Sequence, residues 1–342
     1  MPSRRVTIVD VARRAGVAKS TVSYALNGQP GVSDQVRKRV QEVARELGWR
    51  PSSIAQALSR NRVGACGLIL VRDPHLISIE PFFTRLTTGL ESELSRNKMA
   101  LMIQFVPDVE AEIEAYRSWW GERRVDGVIM VDCRVDDPRL RLADHVDVPA
   151  VMLASPSMRT SVPCLGFGDG ESMHVVVSHL HTLGHRRIGW VSGPTDYAHT
   201  VERRDAFLAA CRLRQMEPLI HHGDYSTRSG ANGCRELLRR DPRPTALVFD
   251  NDVMSLAGMG VLGAAGISVP EQMSVISWED SALCTASHPE LTSLHRDLFG
   301  YGVAGARALL DLIGGLAVEP RIAGSQRLVI RGSTARVSQP AR

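Results

Sequence analysis

Two rhythms of apolar and polar residues divide this chain. In its first fifty residues the apolar positions recur at helical spacing and seldom run together. Ile8, Val11, Ala12 and Ala15 stand at i, i+3, i+4 and i+7, which predicts one apolar stripe on a short helix. Thr7 is placed to cap that helix, with Asp10 three residues on at capping-box spacing. Gly16 supplies the turn, because glycine enters the left-handed region without steric cost. Val22, Ala25 and Leu26 then mark the inward side of a second helix, and Lys19, Ser20, Ser23, Tyr24 and Asn27 its outer face. Ser33 is the N-cap of a third helix that presents Val36, Val40, Val43, Ala44 and Leu47 inward and stops at Gly48. Two short helices around a Gly turn, the second with a polar outer face, form the helix-turn-helix pattern.

After Gly48 come Trp49-Arg50-Pro51 and SSIAQALSRNR. Pro51 suits a helix start, and Ile54, Ala55 and Leu58 share a face, yet the segment is too short to hold a helix alone. It reads as a linker that folds when something holds it. From Gly64 the rhythm changes. VGACGLILV, ALMIQFV, DGVIMV, VPAVMLA, CLGFG, RRIGWVSG, PTALVFD and MSVISWE are apolar runs of strand length, separated by helical patterns such as Ser172–Leu183, Glu202–Arg214 and Val253–Ala265. Apolar strands alternating with helices predict doubly wound parallel sheets, an α/β fold, here as two similar lobes in tandem facing across a cleft. Ligands of such folds bind beyond the carboxyl ends of the strands, so the loops after strands are the places to search.

Charge sharpens the division. Residues 1–62 hold twelve Lys and Arg against four acids, a net of +8, whereas the remainder of the 342 residues nets −4. A basic head on a neutral to acidic body points to a nucleic-acid partner. On the third helix Arg37, Lys38, Arg39 and Arg45 lie outward, with a lean towards phosphate contact. The six cysteines are scattered singly, without CxxC, so they are expected as free thiols in a reducing compartment. No stretch approaches a membrane span and no signal peptide follows Arg4 and Arg5, so the expectation is a soluble, cytoplasmic protein without a membrane partner.

Several motifs in order carry a further identification. IVDVARRAGVAKSTVSYALNG, VSDQVRKRVQEVARELGWRPSSIAQALS, DGVIM, LGHRRIGWVSGP, VFDNDVMSLAGM and SVISWEDS…HPELTSLHRD resemble the lactose-repressor/galactose-repressor family of bacterial transcription factors, over essentially the whole chain. The resemblance implies a helix-turn-helix headpiece over 1–48, a hinge helix or linker over 49–62, and a core like a periplasmic sugar-binding protein. It divides that core into an N-terminal lobe (63–162 plus 292–322), a C-terminal lobe (163–291 plus 323–336) and a tail (337–342). The protein would be a homodimer on a pseudo-palindromic DNA operator. The short polar tail, without leucine heptads, gives no support for a tetramer.

By the same resemblance Lys19, Ser20 and Tyr24 read base edges, with Tyr24 standing where relatives often carry Arg or His. Thr21, Ser23 and Asn27 match phosphate-contacting positions, and Thr7 lies at the same surface. Leu58 matches the residue that wedges into the minor groove, with Ser52, Ala55 and Gln56 on the same hinge segment. For the effector, Phe82 and Phe83 match a contacting loop, Arg203 an arginine that grips ligand hydroxyls, and Asp252 an acid that accepts from them. Tyr225 matches a stacking aromatic and Trp278 is expected at the cleft; Glu279 and Asp280 rank lower, and Arg204 is read as structural. Ser277-Trp278-Glu279-Asp280 replaces the family's usual Gly-Phe/Tyr-Asp-Asp, a version that leans towards glucosides or oligosaccharides.

The function implied is repression of carbohydrate-utilisation genes, relieved when a sugar, such as a glucoside or disaccharide, binds between the lobes. The alternative is a corepressor-dependent regulator that responds to a non-sugar metabolite such as a purine. A transport-type binding protein fits poorly with the basic head. An enzyme is not expected: there is no GxGxxG after a strand, no nucleophile elbow and no metal-spaced His/Cys set. The pairs His179/His181 and His221/His222 lack a third ligand at a familiar spacing, and no cofactor is expected.

Overall fold

The structure, a computed structural model, describes residues 6–26, 28–49, 62–72, 80–145, 148–156, 158, 160–324 and 326–337. Asn27, Ser52, Ala55, Gln56 and Leu58, and with them nearly all of the predicted hinge, lie outside the described residues. The chain divides into two compact units, Met1–Val63 and Gly64–Arg342, each taken here by itself.

Among its described residues the first unit holds three helices, α1 (Ile8–Ala15), α2 (Lys19–Leu26) and α3 (Asp34–Glu46). Thr7 closes the start of α1: its backbone N and its Oγ1 both donate to Asp10 Oδ2, at 2.9 and 2.7 Å. Gly16 ends α1 at φ +70° and donates its N–H to Ala12 O. The Ser33 hydroxyl accepts from Val36 N at the start of α3. Val11, Ala15, Val22, Ala25, Val40 and Ala44 are buried together, as the periodicity predicts. One outward residue has another task. Arg37 donates to Ala25 O and Gln29 O, at 3.2 and 3.0 Å, so the lean towards phosphate is corrected: Arg37 caps a carbonyl in the last turn of α2, holds the loop after it and ties both to α3.

The second unit holds two six-stranded sheets. Its strands are β1 (Ala65–Val71), β2 (Ala100–Val106), β3 (Gly127–Met130), β4 (Ala150–Leu153), β5 (Cys164–Gly166), β6 (Arg187–Ser192), β7 (Glu217–His222), β8 (Ala246–Phe249), β9 (Ser274–Ser277), β10 (Thr292–Arg296), β11 (Arg321–Ile322) and β12 (Gln326–Val329). Its helices are α4 (Pro81–Arg96), α5 (Val109–Gly121), α6 (Pro138–His145), α7 (Asp169–Thr182), α8 (Ala198–Leu213), α9 (Thr227–Leu238), α10 (Asp252–Ala264), α11 (Ala282–Ala286) and α12 (Leu298–Ile313). The first sheet runs β11-β5-β4-β3-β1-β2, parallel throughout. The second runs β12-β10-β9-β8-β6-β7, parallel except for β12 against β10. Most strands are buried on both faces, which is why they read as continuous apolar runs. Among the described residues no helix is long and apolar enough to cross a membrane.

The expected lobe boundaries need two corrections. Residues 164–166 pair with β4, so the N-terminal lobe keeps them and the chain crosses between 166 and 169. Residues 292–296 pair with β9 and β12, so they belong to the C-terminal lobe and the second crossing falls between 296 and 298. The third crossing lies between 322 and 326. After the second crossing α12 packs against α4 at very close range. A Cβ on Gly89 would stand 2.1 Å from Phe299 O, and one on Gly302 2.3 Å from Leu86 O, so both must be glycine. Val337, assigned to the tail, donates to Leu183 O and is docked on the C-terminal lobe.

Candidate functional site

On the head, Gly16 and the turn after it set α2 with its apolar side inward. Lys19, Ser20 and Tyr24 are exposed, Tyr24 to 47%, while Thr21 and Ser23 are half-buried. Ser20 and Tyr24 stand one helical turn apart, so hydrogen-bonding groups of two kinds project along one edge of α2. Such a surface offers donors and acceptors to base edges and backbone.

In the second unit a cavity lies between the lobes, lined by residues that end or follow strands of both sheets. Val131 to Cys133 follow β3, Leu153 to Ser155 end β4, Asp250 to Asp252 follow β8, and Arg296 ends β10. Five of the six predicted effector residues meet there: Phe82, Phe83, Arg203, Tyr225 and Asp252. Trp278 does not, which corrects its expected place at the cleft. It is wholly buried in the C-terminal core, and its ring lies under the Arg203 guanidinium at 4.8 Å. Asp280 is also elsewhere, held by Arg331, Ser293 and His295.

Arg203 sits on α8 and is itself buried. Its Nε donates to Asp169 Oδ2 at 2.8 Å and its Nη1 stands 3.5 Å from Asp250 Oδ2. Burial opposes its charge, but Asp169 and then Asp250 outweigh that, and the guanidinium is held more firmly protonated than usual. Asp250 also accepts from Trp190 Nε1 and Gly193 N, at 3.0 and 2.8 Å, which makes it a strut of the site wall. Asn251 caps α10 through Met254 N and donates to Tyr225 O. Asp252, first residue of α10, accepts from Val253 N through Oδ1, whereas its buried Oδ2 has no hydrogen-bond partner among the described residues. Burial raises the Asp252 pKa, against the Ser281 and Val253 groups that favour its charge.

Tyr225 has a positive φ of 68° and rests its ring against Gly193, where a Cβ would stand 2.2 Å from Oη. Its Oη pairs with His199 Nε2 at 2.7 Å. Burial, then the nearby Arg203, pushes the His199 pKa down to about 3, so the imidazole is neutral. Opposite, Phe82 and Phe83 meet edge to face at 5.0 Å. Arg296 pairs with Glu279 and lies over Phe82 and Phe167, at 5.5 and 5.2 Å from their centroids. Burial lowers its pKa to about 10. Glu80, with Arg72 no closer than 3.9 Å, has its pKa pushed up to about 7 by burial.

The residues that sequence reasoning missed are Arg72, Glu80, Asp132, Asp169, His199, Glu202, Asp250 and Arg296. Arg72, Asp132, Asp169, Asp250 and Arg296 each stand within three residues of a strand's carboxyl end or on it, the position that doubly wound sheets reserve for ligands. That signal was present in the sequence. The chemistry of the whole is a cavity walled by seven carboxylates, three arginines and aromatic faces. Its arginines are already paired with acids, so acceptor oxygens predominate.

Comparison with known proteins agrees with this arrangement. Residues 7–52 match the family model for bacterial regulatory proteins, lacI family, and residues 177–334 match a periplasmic binding protein-like domain. Over 340 residues the chain is 32% identical to the HTH-type transcriptional regulator CelR of Thermobifida fusca, spanning 96% of this chain and 98% of that protein. A solved structure of the transcriptional regulator CelR–cellobiose complex is similar at a TM-score of 0.74 and 30% identity, over 96% of this chain and 100% of that one. The lac repressor dimer bound to operator and the anti-inducer ONPF is similar at a TM-score of 0.84 and 26% identity, over 97% and 100%.

Proposed function

The chain belongs to the lacI family of bacterial regulatory proteins, and from that premise we propose that it is a repressor of carbohydrate-utilisation genes released from its operator by a sugar. It is a homodimeric DNA-binding transcriptional regulator with a helix-turn-helix head. The observation that carries the sugar reading is the cavity between the lobes. It is lined from both lobes, and its acceptor oxygens outnumber its available donors. A polyhydroxyl ligand brings the donors such a wall lacks. In this reading Asp252 Oδ2 accepts from ligand hydroxyls, the remaining Arg203 N–H groups donate to ligand oxygens, and Phe82 covers an apolar C–H face. The similarity to a regulator solved with cellobiose favours a β-linked glucoside as the effector.

Binding releases DNA only if the sugar prefers the arrangement of the dimer that grips the operator poorly, since equal affinity for both arrangements shifts nothing. The test is fluorescence anisotropy of a labelled palindrome from the gene's own upstream region, titrated with glucose, cellobiose, maltose and lactose. Release by one of them is the expected result. Binding that tightens with a ligand would make the protein a corepressor system, and indifference to every sugar would remove the sugar reading.

A further inference from the structure

The cavity is lined in part by a residue whose surroundings resemble those of a bound cation. Arg72 follows β1 in the N-terminal lobe. Its guanidinium carbon lies 5.4 Å from the Phe83 centroid, 5.4 Å from that of Tyr197 and 5.9 Å from that of Tyr225. All three lie within cation–π reach. Nη2 pairs with Asp132 at 2.8 Å, and Nη1 donates to Tyr197 Oη at 2.7 Å and to Val71 O at 3.0 Å. Tyr197 and Tyr225 belong to the other lobe, and their rings stack at 16° with centroids 6.5 Å apart. Phe83 and Tyr225 line the sugar-type cavity, and with Tyr197 behind them they would ordinarily form a platform for a ligand ring. Here the chain's own arginine covers them, and Tyr197 is buried beneath it.

We propose that Arg72 is a specificity-determining residue that sets the length of the saccharide: its guanidinium fills the aromatic box formed by Phe83, Tyr197 and Tyr225 and denies that box to a further sugar ring. This rests on the sugar reading given above. The Asp132 carboxylate at 2.8 Å, with Glu80 farther off at 3.9 Å, keeps the plug seated, because the half-buried Asp132 would lose its ion-pair partner without it. Tyr197 Oη has the separate role of joining Arg72 to the opposite lobe, so losing the hydroxyl affects closure and leaves the box filled.

The test is calorimetric titration of the full-length dimer with glucose, cellobiose, cellotriose and cellotetraose. Arg72→Ala combined with Asp132→Asn empties the box without stranding the acid. It is expected to raise affinity for cellotetraose relative to cellobiose by about tenfold or more, the scale on which a newly opened subsite discriminates ligands. Tyr197→Phe is expected to change both affinities by the same factor and leave their ratio as in the wild type. Should the alanine variant fail to fold, Arg72→Gln with Asp132→Asn opens the box in part and must move the ratio in the same direction. An unchanged ratio in these variants, or affinities for short and long glucans that fall together, overturns the plug and leaves the sugar reading standing. Absence of binding to every glucan by the wild type and the variants alike overturns both.

Discussion

Arg203 and Asp169 meet through two contacts to a single oxygen: Nε and Nη2 of the arginine lie 2.8 and 2.7 Å from Asp169 Oδ2, and both side chains are buried. The pair joins the first turn of α7 to α8 at the floor of the cavity, with Trp278 beneath and Asp250 alongside. Both acids line the cavity, and Asp169 also accepts from Gln326 Nε2 at 3.1 Å. The arginine therefore holds the wall together as well as lining the cavity.

Replacing it separates those two tasks only poorly, and that is the first prediction. Arg203→Met keeps the volume but takes from the buried Asp169 and Asp250 the cation they share, leaving Asp169 with Arg296 at 4.0 Å and Asp250 with neutral donors only, a loss of about 3–5 kcal/mol. Denaturant unfolding of the full chain should show a core transition shifted by that amount, together with loss of the ligand response. A variant as stable as the wild type would show that the acids find other partners.

Asp252 should behave in the opposite way. Asp252→Asn replaces a buried carboxylate oxygen that has no partner among the described residues with an amide, so stability is expected to hold or rise slightly. The ligand response should vanish while operator affinity without sugar is retained. Anisotropy of the labelled operator with and without sugar reads both, and a normal sugar response would take Asp252 out of the ligand's reach.

On the head, Tyr24 is 47% exposed on α2, so its side chain contributes little to folding. Tyr24→Ala is expected to cost about 1–3 kcal/mol of operator affinity and to relax base preference at one position, the pattern of a lost base-edge contact. Head stability should change by no more than about 0.5 kcal/mol. Binding to a panel of single-base operator variants decides it: a uniform weakening across all of them would mark Tyr24 as a phosphate contact.

The C-terminal lobe carries a pH dependence of definite sign. His185 is buried between Thr245 Oγ1 at 2.8 Å and Ser274 Oγ at 3.1 Å, and burial pushes its pKa from 6.5 down to about 4. A pKa depressed on folding means that the stability the neutral ring contributes is whole above the unfolded value. It is lost as pH falls from 6.5 towards 4, to an extent of roughly 3 kcal/mol. Thermal melts of wild type and His185→Gln across that window should converge as the pH drops. Parallel curves would show that the imidazole does not titrate with unfolding.

The head was legible almost residue by residue, because its signals are local. The Thr7–Asp10 box, Gly16, Ser33 and Gly48 each act within a few positions of themselves. The strands were legible as apolar runs, but their partners were not. CLG at 164–166 and TSLHR at 292–296 acquire their lobe only from the strand beside them, and no local pattern specifies that neighbour. Trp278 misled for a related reason: every residue of β9 is buried on both faces, so alternation could not say which way the next side chain turns. Arg37 was read only as one of an outward basic run, and Arg72 escaped notice, because the target of each sits on a different element.

The three crossings between the lobes have a consequence for how the molecule is made. The N-terminal lobe begins at β1 but needs α12, with Leu298, Tyr301 and Leu309 in its core, and then β11 at its sheet edge. By the time a ribosome has delivered those pieces, every strand of the C-terminal sheet except β12 has already emerged. The lobe that is started first thus cannot be finished until most of its partner has been made, and until α12 is synthesised its Gly89 helix face stands open for the Gly302 helix, whose own missing side chain lets the two backbones close up.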